Sequence, residues 1–528
     1  MELIHKDIMH GNGQVGRPPI DLASVSAGIV VGLCVMARVL FFYRAPDTQL
    51  IGVVPDDAFY YMQMARHRAA DGFWTFDGTS PATGFHFLYG YLLVALNLLF
   101  GMMDWRQLFL LIGGGASILI GLAAGLVSRS AETLLGRKAI LLAVAPFLSP
   151  IALTQGTAMM ESWLVLFFSA ATIYVLVRDE NPSLREGAGL LVLGVLGSLS
   201  RTDYGMLPGV LFLTFWISRP LLKNHQAKRS AYILAGAVLG VTLVLLQNLH
   251  ISGHLFQASA QTKFYWSSVM GHSVSEPVNM AASVALPFLG AWSAPMKIAA
   301  LLSVVPLVAY SWRRFAPEER RRLYPALVMA SGCCLTVLGY ILFYRHDSQS
   351  LRIWYAANLI APIGMTLAAV GFSLFRSRTV IPSVLAFCAY ALMGAASLFA
   401  VPFPHQAGMM KAGLFLKQHQ APVIYASWNA GIIGYFSGLR LLNIDGITND
   451  EVLPYIKSNT LFDYMRSRNI RYLIDYEETL TNRARRMRGG YLDRRMDQCV
   501  HALDAIDGDA PKWLESRVKV FEILPGCE

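Results

Sequence analysis

Apolar runs of about 20 residues recur along the first three quarters of this 528-residue chain, and no other feature restricts its fold so tightly. A run of that length spans a ~30 Å hydrocarbon core as a helix, which satisfies its own backbone polar groups. The first run, Leu22–Tyr43, follows a polar segment, Met1–Asp21, and has no small-residue cleavage site after it, so it reads as an uncleaved anchor. Further runs occupy Gln107–Ser128, Ala139–Gly156, Glu161–Val177, Ala188–Ser200, Gly205–Ser218, Ala231–His250, Ala291–Trp312, Pro325–Tyr344, Trp354–Phe375 and Thr379–Val401. Only 15% of residues are charged and 55% are apolar, against about 25% charged in soluble domains. These features predict a multi-pass α-helical membrane protein with about eleven spans. The net charge of +10 invites comparison with nucleic-acid binders. Most of the basic residues, however, lie in short loops between apolar runs, where membrane topology accounts for them and no nucleic acid is implied.

One apolar stretch, Phe85–Gly101, carries His86, Tyr89, Tyr91 and Asn97, and whether it spans decides the orientation of everything after it. If it lies along the membrane surface, the inward segments carry 18 Lys and Arg and the outward inter-helix segments eight. A spanning Phe85–Gly101 would reverse that bias. The positive-inside rule therefore predicts a surface-lying segment, a cytoplasmic N-terminus and an extracytoplasmic C-terminus. Ala188–Ser200 and Gly205–Ser218 are short for a bilayer, with Arg201 and Asp203 between them as an expected structural ion pair; one kinked helix is the alternative. From about Pro402 the pattern changes to short β-rich runs (Val423–Ala426, Leu439–Ile444, Arg471–Ile474, Val518–Leu524) alternating with polar helical stretches. This divides the chain into a membrane module, 1–401, and a soluble α/β domain, 402–528. Cys499 and Cys527 of that domain would face an oxidising compartment, either paired or as unrelated thiols.

The candidate chemistry lies in the external loop, 44–106. Two adjacent carboxylates, Asp56 and Asp57, open an amphipathic run expected to form a helix ending at Gly72. Capping would need only one of them. Paired acids repel, so one can keep a raised pKa and serve as a general base; the pattern by itself leaves capping and function level. Tyr60 and Tyr61 follow, then the turn-rich TFDGTSPATG with Asp77 and Thr83, then His86.

The segments PDDAFYYMQMAR, TFDG and ATGFHFLYGYLL resemble the first external loop of the GT-C glycosyltransferases that use polyprenyl-phosphate sugars, such as the aminoarabinose, arabinofuranosyl and protein O-mannosyl transferases. Ala82 replaces the usual Asn, and Phe87 stands where Pro is usual. TAMMESWLVL (Thr157–Leu166), SRTDYG (Ser200–Gly205), SGHLFQASAQTK (Ser252–Lys263) and ASWNAGIIGYFSGLRLLNIDGITN (Ala426–Asn449) continue the resemblance in order along the chain.

The resemblance implies a GT-C-like fold with juxtamembrane helices, in which Asp56 is the catalytic base and Asp57 orients the acceptor. It implies a polyprenyl-phosphate sugar donor and a cell-envelope acceptor, whether glycan, lipid or protein, at the outer face of a prokaryotic plasma membrane. A departing phosphate needs cations, and the outward candidates are Lys263, Arg345 and Arg352 with Arg201 behind them and His86 nearby. Tyr60, Tyr61, Asp77 and Thr83 are expected to face donor or acceptor. No cofactor is expected, although Glu161 with Asp57 is a possible divalent-metal pair. The competing reading is a polytopic transporter or lipid flippase, which should show internal repeats and mid-membrane charges; a third is a non-catalytic envelope-assembly protein.

Overall fold

The computed structural model describes residues 22–526 apart from 102, 221, 223, 290–292, 294, 300–302, 304–309, 311, 314, 349–350, 376–378, 420 and 507–516. Met1–Asp21, most of Ala291–Trp312 and Cys527 therefore fall outside the described residues.

Six helices among the described residues are long and apolar enough to cross a membrane: Leu22–Arg44, Trp105–Leu135, His225–Ser252, Pro317–Tyr344, Ile353–Phe375 and Val380–Ser397. Glycine sets how closely they pack. A Cβ on Gly28 would sit 2.6 Å from the Gly121 carbonyl oxygen, and one on Gly121 would sit 2.8 Å from that of Gly28. Gly32 and Gly125, one turn further along each helix, extend this backbone-to-backbone crossing of Leu22–Arg44 on Trp105–Leu135. A second such crossing joins Leu184–Ser200 to His225–Ser252, where Gly194 and Gly236 each lie against the partner's carbonyls. Arg38 is fully buried yet satisfied, donating to the Thr157 hydroxyl and to the carbonyls of Ser397, Leu398 and Ala400.

Several apolar runs are not straight spans. Ala139–Gly156 breaks into short helical pieces, Ile140–Val144 and Pro150–Thr154, joined by the 3-10 turn Ala145–Leu148. Pro146 and Pro150 remove the amide donors that a continuous helix needs. The following run opens at Met159, whose φ of 50° turns the backbone sharply ahead of helix Ser162–Leu176. Tyr89 holds that turn by donating to the Met159 carbonyl at 2.6 Å. Leu184–Ser200 and Met206–Ile217 are separate helices, divided where Arg201 adopts an extended backbone and Thr202–Gly205 makes a 3-10 turn. The surface-lying candidate is helix Phe87–Phe100; its 14 residues rise about 21 Å, short of the hydrocarbon thickness.

After Pro402 a five-stranded sheet forms from β1 (Ile424–Ser427), β2 (Leu441–Asn443), β3 (Ile470–Tyr476), β4 (Val500–Ile506) and β5 (Val518–Ile523), in the order β2-β1-β3-β5-β4. β1 pairs in parallel with β2 and β3, while β5 runs antiparallel to β3 and β4. β4, VHALDAI, is the strand that sequence reading missed; its mixed pattern directly follows the polar helix Arg494–Cys499. Cys499 is disulfide-bonded.

The external loop joins the two halves. Its helix, Asp56–Asp71, ends where Gly72 turns left-handed at φ 81°. On one flank Phe59 packs against Tyr435 and Phe436 of the sheet domain and Trp105 of the membrane module, with ring centroids 5.2–6.1 Å apart. Arg66 stacks 4.0 Å over the Tyr435 ring.

The crossing at Gly28 is testable. Gly28→Leu forces a side chain into backbone and should cost at least about 1–3 kcal/mol, lowering the thermal unfolding midpoint in detergent. Gly115→Leu, with nothing within 4 Å of its Cβ position, should leave the midpoint unchanged.

Candidate active site

Asp57, Tyr60 and Tyr61 share one stripe of helix Asp56–Asp71, because residues three and four apart face the same way. That stripe forms one wall of a cavity of about 230 Å³. The other walls come from His86 at the entry to helix Phe87–Phe100, Glu161 just ahead of Ser162–Leu176, the Arg201–Asp203 break, Lys263 on helix Ala258–Met270, Tyr344, Tyr355, and Ile447 of the sheet domain. The helix breaks at Glu161 and at Arg201–Asp203 thus deliver polar residues to this space.

Its charges are ordered by ion pairs. Arg201, 3% exposed, donates to Glu161 Oε1 at 2.6 Å and holds Asp203 with two bonds of 3.1 and 2.9 Å. Tyr344 adds a third bond to Asp203, at 2.6 Å. Burial would raise the Asp203 carboxyl, but Arg201 outweighs it and lowers it to about 2. His86 Nε2 lies 3.6 Å from Glu161 Oε1. Burial drives His86 down to about 4 even though that carboxylate opposes the shift. His86 is consequently a neutral hydrogen-bonding group at pH 7. Lys263 Nζ donates to the Tyr355 hydroxyl at 2.7 Å, and the Arg201 guanidinium lies 4.5 Å over the same ring.

Asp56 sits one residue back, rotated about 100° from Asp57. No side-chain bond caps its own helix. Instead Asp56 Oδ1 accepts the Ile432 N–H at 2.6 Å, at the start of helix Ala430–Ser437 in the sheet domain. Burial raises the Asp56 carboxyl, the backbone amides of Ile432 and Gly431 lower it, and Asp57 and Asp475 raise it again, for a result of about 7. Two further acids adjoin it. Asp475 accepts from the amides of Trp428, Asn429 and Tyr476, and Asp445, 2% exposed, accepts from Ile447 N–H. Burial raises both. Among the described residues no three His, Cys, Asp or Glu side chains converge as a metal cage, and Glu161 Oε1 is held by Arg201.

Solved structures share this architecture. ArnT from Cupriavidus metallidurans bound to undecaprenyl phosphate superposes with a TM-score of 0.56 at 13% identity, over 95% of this chain and 98% of that one. The Archaeoglobus fulgidus oligosaccharyltransferase tethered to an acceptor peptide containing the NVT sequon gives 0.53 at 12% identity, over 93% and 74%. The chain has the GT-C fold. Within that fold, residues 402–515 match a family model described as a domain of unknown function, DUF8728. No curated protein sequence matches the chain.

Within this fold, Asp57, Tyr60, Tyr61, His86, Glu161 and Lys263 all reach one cavity. Five other expected site residues do not: Asp56, whose carboxyl is bound by Ile432 N–H as above, and Asp77, Thr83, Arg345 and Arg352. Asp77 is turned into its own loop, where its Oδ1 accepts from Thr79 N, Ser80 N and the Thr75 and Thr79 hydroxyls, which fixes the turn. Thr83 ties the loop to helix Ala258–Met270, accepting from Ala258 N at 3.2 Å. Arg345 and Arg352 are exposed and line no part of the cavity, because the 3-10 turns that carry them aim Tyr344, His346, Trp354 and Tyr355 inward instead. Arg201 and Asp203, expected as a structural pair, form one wall. Tyr355, Asp445 and Asp475 escaped sequence reading; only the NIDG stretch hinted at Asp445.

The buried pairs make a stability prediction. Arg201→Met leaves Glu161 and Asp203 without their cation and should cost about 3–5 kcal/mol, seen as a sharp drop in unfolding midpoint. Arg345→Met should leave the midpoint in place.

Proposed function

We propose that the chain is an integral membrane glycosyltransferase that moves a sugar from a polyprenyl-phosphate donor to a cell-envelope acceptor, at the outer face of the plasma membrane. The observation that carries this reading is a cavity at the junction of the membrane module and sheet domain. Lys263 and Asp57 both line it, and Asp56, with its pKa near 7, precedes Asp57 on the same helix without lining the cavity itself.

Lys263 supplies the positive charge for the donor phosphate, with Arg201 behind it and neutral His86 offering a hydrogen bond. Fixed charge aimed at a leaving phosphate contributes several kcal/mol without reorganisation. The acceptor hydroxyl oxygen attacks the anomeric carbon as the carbon–oxygen bond to phosphate breaks, and that bond's electron pair stays on the phosphate. The hydroxyl proton passes to Asp56, while Asp57 orients the acceptor. A base with a pKa near the working pH combines a populated ionised form with useful proton affinity. The structural neighbours agree in ligand class: one is bound to undecaprenyl phosphate, and the archaeal enzyme is seen with a dolichol-phosphate.

Asp56→Asn should cut transfer from labelled polyprenyl-phosphate sugars about 10²–10⁴-fold, whereas wild-type transfer rises with pH through about 7 as Asp56 loses its proton. The acid limb should vanish in Asp56→Asn and persist in Asp57→Asn. Undiminished transfer by Asp56→Asn removes Asp56 from its role, and transport of the lipid without sugar transfer replaces the whole reading.

A further inference from the structure

A second basic cluster lies where helix Arg483–Gly489 of the sheet domain meets helix Ala258–Met270. The Arg488 guanidinium sits 4.4 Å over the Trp428 ring and 4.8 Å over the Trp266 ring, and the two indoles stack at 5.0 Å. Among the described residues Arg488 Nε, Trp428 Nε1 and Trp266 Nε1 are buried without an acceptor. Each is a donor only, and a buried donor left unpaired is costly. Gly489 lets the Tyr491 ring pack close beside it: a Cβ there would lie 2.6 Å from that ring and 3.2 Å from Trp428 Nε1. Arg352 and Arg485 both act on Arg488, Arg352 being exposed and Arg485 paired with Glu478. The facing carboxyl is Asp445, which burial holds well above the usual carboxylate range, so it offsets little of that positive charge. Three buried donors without acceptors therefore lie where Arg488 meets two further guanidiniums, of which Arg485 is already held by Glu478.

We propose that Arg488, Arg352 and Arg485 bind an anionic group, a phosphate or carboxylate, carried by the acceptor. This rests on the transferase reading and specifies its acceptor class. The position suits it: Trp428 directly precedes the segment whose Ala430 N–H binds Tyr60 and whose Ile432 N–H binds Asp56. A molecule held by its anion at Arg488 can thus present a hydroxyl at Asp56, away from the Lys263 wall. Planar guanidinium forks stacked on aromatic rings are suited to such oxyanions.

The test uses full-length protein in detergent micelles and two probes, inorganic phosphate and a short-chain polyprenyl phosphate. In a Lys263→Gln background, inorganic phosphate should still bind, and adding Arg488→Gln or Arg352→Gln should weaken it about tenfold. With Lys263 intact, both arginine variants should bind polyprenyl phosphate within about twofold of wild type. Inorganic phosphate should also inhibit sugar transfer into a crude envelope extract, with no relief from added donor. Unchanged phosphate binding in Arg352→Gln, an exposed site that will fold, overturns the proposal. So does an equal loss of polyprenyl phosphate in both arginine variants, or relief of inhibition by donor. Failure of Lys263→Gln to weaken polyprenyl phosphate would instead strike the donor reading, leaving the phosphate comparison to decide the arginine site.

Discussion

The short hydrogen bond from Ile432 N–H to Asp56 is the contact around which the two halves of the molecule are organised. Two helix N-termini meet at this carboxyl, that of its own helix and that of Ala430–Ser437, and both favour negative charge. Burial and the neighbouring acids favour the neutral form. These influences nearly balance, which is why a carboxyl ends near neutrality instead of at its usual value. Because Asp57 is the next residue on the helix, the same seam that docks the sheet domain also aims a carboxylate into the membrane-side cavity. Docking and the carboxyl of raised pKa therefore share one turn of helix.

Within the cavity, most of the charge is already committed. Arg201 is neutralised by Glu161 and Asp203, Tyr344 donates to Asp203, and the Tyr355 ring lies against the Arg201 guanidinium. Such a cluster costs desolvation and returns a fixed geometry. It holds three separate helix breaks together at the point where the chain would otherwise be weakest. Lys263 reaches the same cavity from a different helix and donates to the Tyr355 hydroxyl.

Local physics made much of this legible. The helix from the paired acids to Gly72 follows from dipole and left-handed-cap preferences, and the structure ends it at that glycine. Asp57, His86, Lys263 and the two tyrosines could be singled out because they interrupt apolar sequence with polar chemistry. Arg345 and Arg352 line no part of this cavity, and loop position says nothing about which side of a turn points inward. Asp77 was misjudged because an acid in a turn-rich stretch serves the turn's own amides as readily as a substrate. The prolines at 146 and 150 were visible in an apolar run, but hydropathy alone averages over them.

The sequence by itself determined a membrane-embedded helical body, a soluble domain after it, and an acidic loop between them, because burial of apolar runs and backbone satisfaction in lipid leave few alternatives. Only the tertiary structure decided which charges meet. Asp56 and Ile432 are 376 residues apart, Glu161 and Arg201 are 40 apart, and Arg488 reaches Trp266 across the seam. Pairings of that range depend on how the sheet domain and helix breaks pack, which no local pattern of residues encodes.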